Sequence, residues 1–177
     1  LFNESQYLKA PESQGLSHTY GMDFYPGQGW NLGFTTQVGK LERDIAGGGV
    51  SRVDRHAFSV SGGFTSARAQ WQSKLEWRKD TGAERREQWV TTNQLGYKVS
   101  ESLRLAARFN YSETEDKLNP SAGAKFAEAN IVFALRPWNT TRWALFGKYT
   151  WLYDVSALEQ VGGNVANYDQ QSNIFSV

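Results

Sequence analysis

Residues 69–79 read Ala69-Gln70-Trp71-Gln72-Ser73-Lys74-Leu75-Glu76-Trp77-Arg78-Lys79. Up to Arg78 the odd positions are apolar or small and the even positions are polar or charged. Successive side chains of an extended strand point to opposite faces, so this period of two predicts a strand with one apolar and one hydrophilic face.

The same alternation runs along most of the chain. A first strand at about 16–25 carries Leu16, His18, Tyr20, Met22 and Phe24 on one face. A second at about 30–41 carries Trp30, Leu32, Phe34, Thr36 and Val38, and a third at about 55–65 carries Phe58, Val60, Gly62 and Phe64. Residues 69–79 form the fourth. The fifth, about 87–98, sets Trp89, Leu95 and Tyr97 against Gln88, Thr92, Gln94 and Lys98. The sixth, about 103–113, sets Leu103, Leu105, Ala107, Phe109 and Tyr111 against Arg104, Arg108 and Asn110. The seventh, about 125–136, opposes Ile131 and Phe133 to Glu128 and Asn130. The eighth, about 142–155, carries Trp143, Leu145, Tyr149, Trp151 and Tyr153 against Lys148, Thr150 and Asp154, and a ninth starts near Tyr168.

Composition says where such strands belong. Aromatic residues make up 14% of the chain, yet its mean hydropathy is −0.57. Isoleucine occurs only at Ile45, Ile131 and Ile174, and no apolar run approaches the ~18–20 residues of a membrane helix. Strands that offer lipid only every second residue give this profile. The 19 basic and 18 acidic residues nearly cancel, which argues against nucleic acid as a partner. With no cysteine, neither a disulfide framework nor a thiolate metal site is available, and no motif calls for a cofactor. The opening Leu-Phe-Asn-Glu has no basic or apolar leader character, so we expect a presequence already removed or a start within a longer polypeptide.

Two further patterns point the same way. Tight turns are expected at Pro26-Gly27-Gln28-Gly29 and around 65–68, 99–102 and 137–141, and longer polar segments at 42–54, 80–86, 114–124 and 156–167. Short and long connections thus alternate, as they do at the two rims of a membrane barrel. Trp30, Phe64, Trp71, Tyr97 and Trp143 lie beside the short turns; Trp77, Trp89, Tyr111, Trp151 and Tyr153 lie near the long segments. Aromatic rings in two such belts suit the two membrane interfaces. The competing reading is a soluble sandwich or lipocalin-like barrel, whose apolar face would point inward.

In its tryptophan-bounded strands 69–79 and 142–155 and its tight turn Pro26–Gly29, the chain resembles the outer-membrane β-barrel superfamily of Gram-negative bacteria over roughly 16–177. The resemblance implies an all-β, transmembrane antiparallel up-and-down barrel in the bacterial outer membrane, with about eight to nine strands visible. It implies membrane lipid and lipopolysaccharide as surroundings and the outer-membrane assembly machinery as a folding partner. Such barrels have an even strand number. Residues 1–15, with Pro11 and Gly15, read as a loop or the tail of a preceding segment, and the chain stops at Phe175-Ser176-Val177 within a strand. We therefore expect part of a larger barrel, completed by further strands of the same polypeptide and open to a plug or partner protein.

The search for chemistry is sparse. Outer-membrane lipases, lipid A deacylases and omptin-type proteases resemble this chain in architecture, but none of their catalytic constellations carries over, and no enzyme activity is expected. His18 and His56 both fall on the apolar parity; Ser59 and Ser61, near His56, project from the opposite face. Gly47-Gly48-Gly49 lacks the lysine and hydroxyl of a phosphate-cradling loop. Glu113, Glu115 and Asp116 could gather a cation, but a solvated acidic loop is the simpler reading. Asn139-Thr140-Thr141 matches a glycosylation sequon in an expected periplasmic turn and is set aside. Arg52, Arg55, Arg85 and Arg86 are placed near the outer rim, where they could meet lipopolysaccharide phosphates; ordinary loop charge is the plainer account.

Function is expected on the polar face. Gln70, Gln72, Lys74, Glu76, Arg78, Gln94, Lys98, Arg104, Arg108, Glu128 and Lys148 are the residues that would line a lumen. Two uses follow. The chain is the wall of a porin-like channel or export conduit, or it is an anchor with a filled lumen that presents loops or attached domains at the cell surface. The mixed charge signs favour a filled or weakly selective interior.

Overall fold

The computed structural model describes residues 1–11, 13–45, 49–119, 123–137, 143–155 and 169–176. They form ten strands: β1 (Phe2–Ala10), β2 (Ser13–Gly27), β3 (Trp30–Ile45), β4 (Gly49–Thr65), β5 (Ala69–Gly82), β6 (Arg86–Lys98), β7 (Leu103–Asp116), β8 (Ala124–Leu135), β9 (Leu145–Val155) and β10 (Asp169–Ser176). One antiparallel sheet contains them all, in chain order from β1 to β10. Each strand packs only against its sequence neighbours, and β1 does not pair with β10, so the sheet is an open meander.

The two faces differ as the alternation predicts. Along β4, Val53 and Ser59 are each 5% exposed, whereas Phe58 and Val60 on the other face are 47% and 36% exposed. Crowded side chains belong to the concave side of a curved sheet, so the polar face looks inward and the apolar face outward. Phe34, Leu75, Leu95, Phe109 and Ile131 continue that exposed apolar face across β3–β8. No large side chain is fully buried among the described residues. A soluble sandwich needs a packed core where its apolar faces meet, and here the apolar face meets nothing.

Turn chemistry closes the hairpins. Between β2 and β3, Gly27, Gln28 and Gly29 have φ of 97°, 53° and 84°. Glycine adopts such angles without the cost a Cβ brings. At Gly29 a Cβ would also overlap the Thr65 carbonyl, and the Thr65 N–H donates to the Gly29 carbonyl at 2.8 Å. The turn therefore locks β3 to the end of β4. A bulge between Phe24 and Gly27 absorbs the register change. The Ser66 hydroxyl accepts from the Ala69 N–H at 3.0 Å in the next turn on this rim, and the Ser100 hydroxyl accepts from the Leu103 N–H at 3.1 Å in the one after.

Several expectations need correction. Residues 1–15 are not a loop: β1 occupies Phe2–Ala10 and pairs with β2 from Phe2↔Gly21 to Ala10↔Ser13. The strand has polar residues on both faces, so no period-two signal marks it; the ladder to β2 forms it. The segments 42–54 and 80–86 are mostly strand as well, because β3 runs to Ile45, β4 starts at Gly49, and only 83–85 separate β5 from β6. These hairpins rise beyond the apolar band, where neither face needs to be apolar, and polar strand there looks like loop. The tight turn expected at 137–141 falls between β8 and β9, where 138–142 lie outside the described residues. The strict alternation of short and long connections does not hold; what distinguishes the loop-side rim is strand that projects past the band. The long segment 156–167, Gly47, Gly48, Asn139, Tyr168 and Val177 also lie outside the described residues.

Candidate functional site: the inner face

Register places the expected lumen residues in slanting rows across one face. Lys98 pairs with Arg104 in the row nearest the short turns. The next row runs from Gln70 through Gly96, Ala106 and Val132 to Lys148. Then come Gln72, Gln94, Arg108, Asn130 and Thr150, and after them Lys74, Thr92, Asn110 and Glu128. Glu76 and Arg78 follow on β5, at the levels of Ser59 and Ala57 of β4. Strand parity alone thus brings all eleven residues to the same side. A recess of about 400 Å³ there is lined by Asn31, Ser61, Gln72, Lys74, Gln94 and Arg108.

Polar side chains on this face are tied to one another. Glu76 accepts from Lys74 Nζ and Arg78 Nη2, each at 2.9 Å. The Gln94 amide donates to the Gln72 carbonyl oxygen. The two oxygens of Glu128 accept from Asn110 Nδ2 at 3.0 Å and Asn130 Nδ2 at 2.7 Å, and Thr150 Oγ1 donates to Asn130 Oδ1 at 2.5 Å. Towards the loop-side rim, Arg55 grips Asp80 with two bonds of 2.7 and 2.8 Å, and Arg86 Nε donates to Asp116 at 3.2 Å. Asp80 and Asp116 are both buried; bidentate guanidinium contact satisfies Asp80, whereas the second oxygen of Asp116 accepts from the Leu118 and Asn119 N–H groups at 2.9 and 3.0 Å. Asp80 lay outside the expected strands, and Asn130 and Thr150, although placed on polar faces, were not among the expected lumen residues. For Asp80 the signal existed, since the alternation of 69–79 carries on through it.

Arg55 and Arg86 therefore face inward; the period of two in the 55–65 strand already puts Arg55 on the parity of Ser59, and Arg86 joins it once β6 is seen to begin there. Arg52 does face outward, and pairs with Glu42 at 2.9 Å. The acidic group also separates. Glu113 takes the Lys125 ammonium at 2.6 Å and the Tyr111 hydroxyl at 2.7 Å, Glu115 takes Lys117 at 2.7 Å, and Asp116 points to the other face. Glu115 holds the Lys117 ammonium, in the loop past β7, above its ordinary pKa. No group of acids and histidines able to hold a metal occurs among the described residues.

His56 sits on the outward face between Val38 of β3 and Lys79 of β5. His18 Nδ1 lies 2.8 Å from the Ser5 hydroxyl, a pairing hidden from sequence by the reading of 1–15 as loop. No carboxylate hydrogen-bonds to the His18 ring among the described residues, so no triad is assembled there.

On the outer face the aromatics gather at two levels. At the turn side, the Trp30 and Phe64 rings are 4.9 Å apart and Trp30 and Trp71 meet edge-on at 6.2 Å. Tyr97 pairs with Ala69 and Leu105 at the same end, and Trp143 precedes β9 exposed. At the loop side, Trp77 and Trp89 are 6.4 Å apart, Trp151 and Tyr153 stack at 6.2 Å, and Tyr111 pairs with Ala127. The Phe133 ring lies where a Cβ on Gly147 would be, closing a gap in the outer surface of β8–β9.

An inward polar face, an outward apolar band and rings at both ends of the band define a transmembrane, outer-membrane type of antiparallel β-barrel fold. The chain is similar to solved structures of OmpT, an outer membrane protein of Vibrio cholerae. The in-vitro folded form matches with a TM-score of 0.51 at 12% identity, over 96% of this chain and 58% of that one. The outer-membrane expressed form matches with a TM-score of 0.50 at 10% identity, over 97% of this chain and 61% of that one. The chain therefore spans about three fifths of the length of those structures. No family model and no curated protein matches it.

Proposed function

We propose that the chain forms part of the wall of a channel or export conduit in the bacterial outer membrane, completed by further strands of a larger barrel. The observation that carries this reading is the inner face. Its charged and amide side chains form a continuous polar surface bonded along and between neighbouring strands, which suits a wall facing water. The unpaired outer edges of β1 and β10 leave room for added strands. Lipid and lipopolysaccharide would surround the outer face, and no catalytic role is assigned.

Single-channel recording of the full-length polypeptide in planar bilayers tests the proposal. Stable ion-passing steps support it. A folded, inserted and silent protein would replace it with the anchor reading, for which the β3–β4 hairpin, projecting past the apolar band, is the supporting feature.

A further inference from the structure

The signs of the inner-face charges are not mixed evenly along the barrel axis. In the three rows nearest the short turns the charged positions are Lys98, Arg104, Lys148 and Arg108, and every other inward position in those rows is uncharged. Lys98 is held by Glu101 in the adjoining turn at 2.7 Å. Arg104, Arg108 and Lys148 make no ion pair among the described residues, and all three are exposed. Arg108 is positioned by a 3.3 Å bond from its Nε to the Asn110 side-chain oxygen. Glu128, one row further in, is the nearest inward carboxylate, and both its oxygens are engaged by asparagine amides. From that level towards the loop side the inward cations of β4–β6 are each ion-paired to a carboxylate.

We infer that the turn-side half of this wall is a cationic entrance that draws small inorganic and carboxylate anions into the conduit. The inference rests on the conduit reading and names the solute class. An ion in water ~10 Å from one such charge is enriched or depleted about twofold before screening. Three cations without a direct ion pair, their field offset only in part by the Glu101 and Glu128 carboxylates nearby, therefore act together, most strongly at low salt, where the screening length reaches ~30 Å at 0.01 M against ~3 Å at 1 M.

The test is the reversal potential of the full-length polypeptide in planar bilayers under a potassium chloride gradient. Chloride should permeate more readily than potassium, with the preference growing at low salt. Replacing Arg104, Arg108 and Lys148 together by Gln should lower the chloride-to-potassium ratio several-fold, and Arg104→Gln alone about twofold. Lys79→Gln with Lys125→Gln removes charge from the outward face and should leave the ratio unchanged. A potassium-selective wild type, or a ratio unmoved by Arg104→Gln in a conducting channel, overturns the inference while the conduit stands. A silent wild type overturns both. The single variant and the wild-type ratio decide the matter even where the triple variant does not fold.

Discussion

Leu75→Arg is the perturbation that most directly tests which face meets lipid. Leu75 lies on the outward face of β5, paired with Val60 and Thr91, and is 47% exposed. On the same face Trp71 lies four residues towards the turn side and Trp77 two towards the loop side, so Leu75 is inside the apolar band. Arginine at the midplane of a barrel's lipid face costs about 2–4 kcal/mol, falling to about 0–1 kcal/mol near the interfaces. Placed off-centre towards Trp77, Leu75→Arg should cost about 2 kcal/mol, roughly a thirtyfold loss in the folded-to-unfolded ratio. Thr92→Arg, inward on β6 opposite Lys74, should cost only the like-charge repulsion of that pair, about 0.2–1 kcal/mol, because water reaches it. The assay is reversible denaturant unfolding in lipid vesicles, followed by tryptophan fluorescence. A neutral Leu75→Arg together with a destabilising Thr92→Arg would refute the orientation and restore the soluble barrel.

Three further outcomes follow from local geometry. Gly29→Ala should cost about 2 kcal/mol or more in the same assay, since a Cβ is disfavoured at a φ of 84° and would strike the Thr65 carbonyl; an unchanged midpoint would mean the turn is not built this way. Arg55→Ala should cost about 2–3 kcal/mol by stranding the buried Asp80 carboxylate, and adding Asp80→Ala should recover part of it; strict additivity in the double-mutant cycle would count against the pair. In the turn after β6, the Lys98 ammonium bonded to both oxygens of Glu101 holds that carboxyl below its usual range. Its contribution is present above the unfolded carboxylate pKa of about 4.3 and lost as pH falls through the lower folded value. The stabilities of wild type and Glu101→Gln should therefore converge on acidification, and a gap that widens would contradict the bond.

What was legible in the sequence depended on whether a strand sits in the membrane. Within the band, lipid outside and water inside impose opposite demands on successive residues, so β5 and β7 announce themselves. Beyond it both faces meet water, and the demand vanishes. That is why the upper parts of β3 and β4 read as loop although Glu42 and Arg52 face one another across the hairpin. β1 was lost for a related reason: Asn3, Ser5 and Lys9 occupy the outward parity where apolar residues would have marked it. The expected lumen residues share one face because parity alternates along every strand, and parity needs no tertiary knowledge. Their pairing did need it, since Arg55 meets Asp80 only through the register of β4 on β5.

Register also changes what the charges mean. Read along the chain, the inward cations and acids alternate in sign and suggest an interior with little preference. Set in rows, they divide: Asp80 and Asp116 are matched by arginines on the neighbouring strand, whereas Arg104 stands between Lys98 and Ala134, and Lys148 beside Val132, with no carboxylate in either row. A barrel needs no cations there for stability, because unpaired inward charges repel one another and add no packing. Cations outside any direct ion pair would, on the conduit reading, act on what passes along this face. On the conduit reading, the turn-side half of β6–β9 is where selectivity would reside, and the Arg55–Asp80 and Arg86–Asp116 pairs tie neighbouring strands together on the loop side.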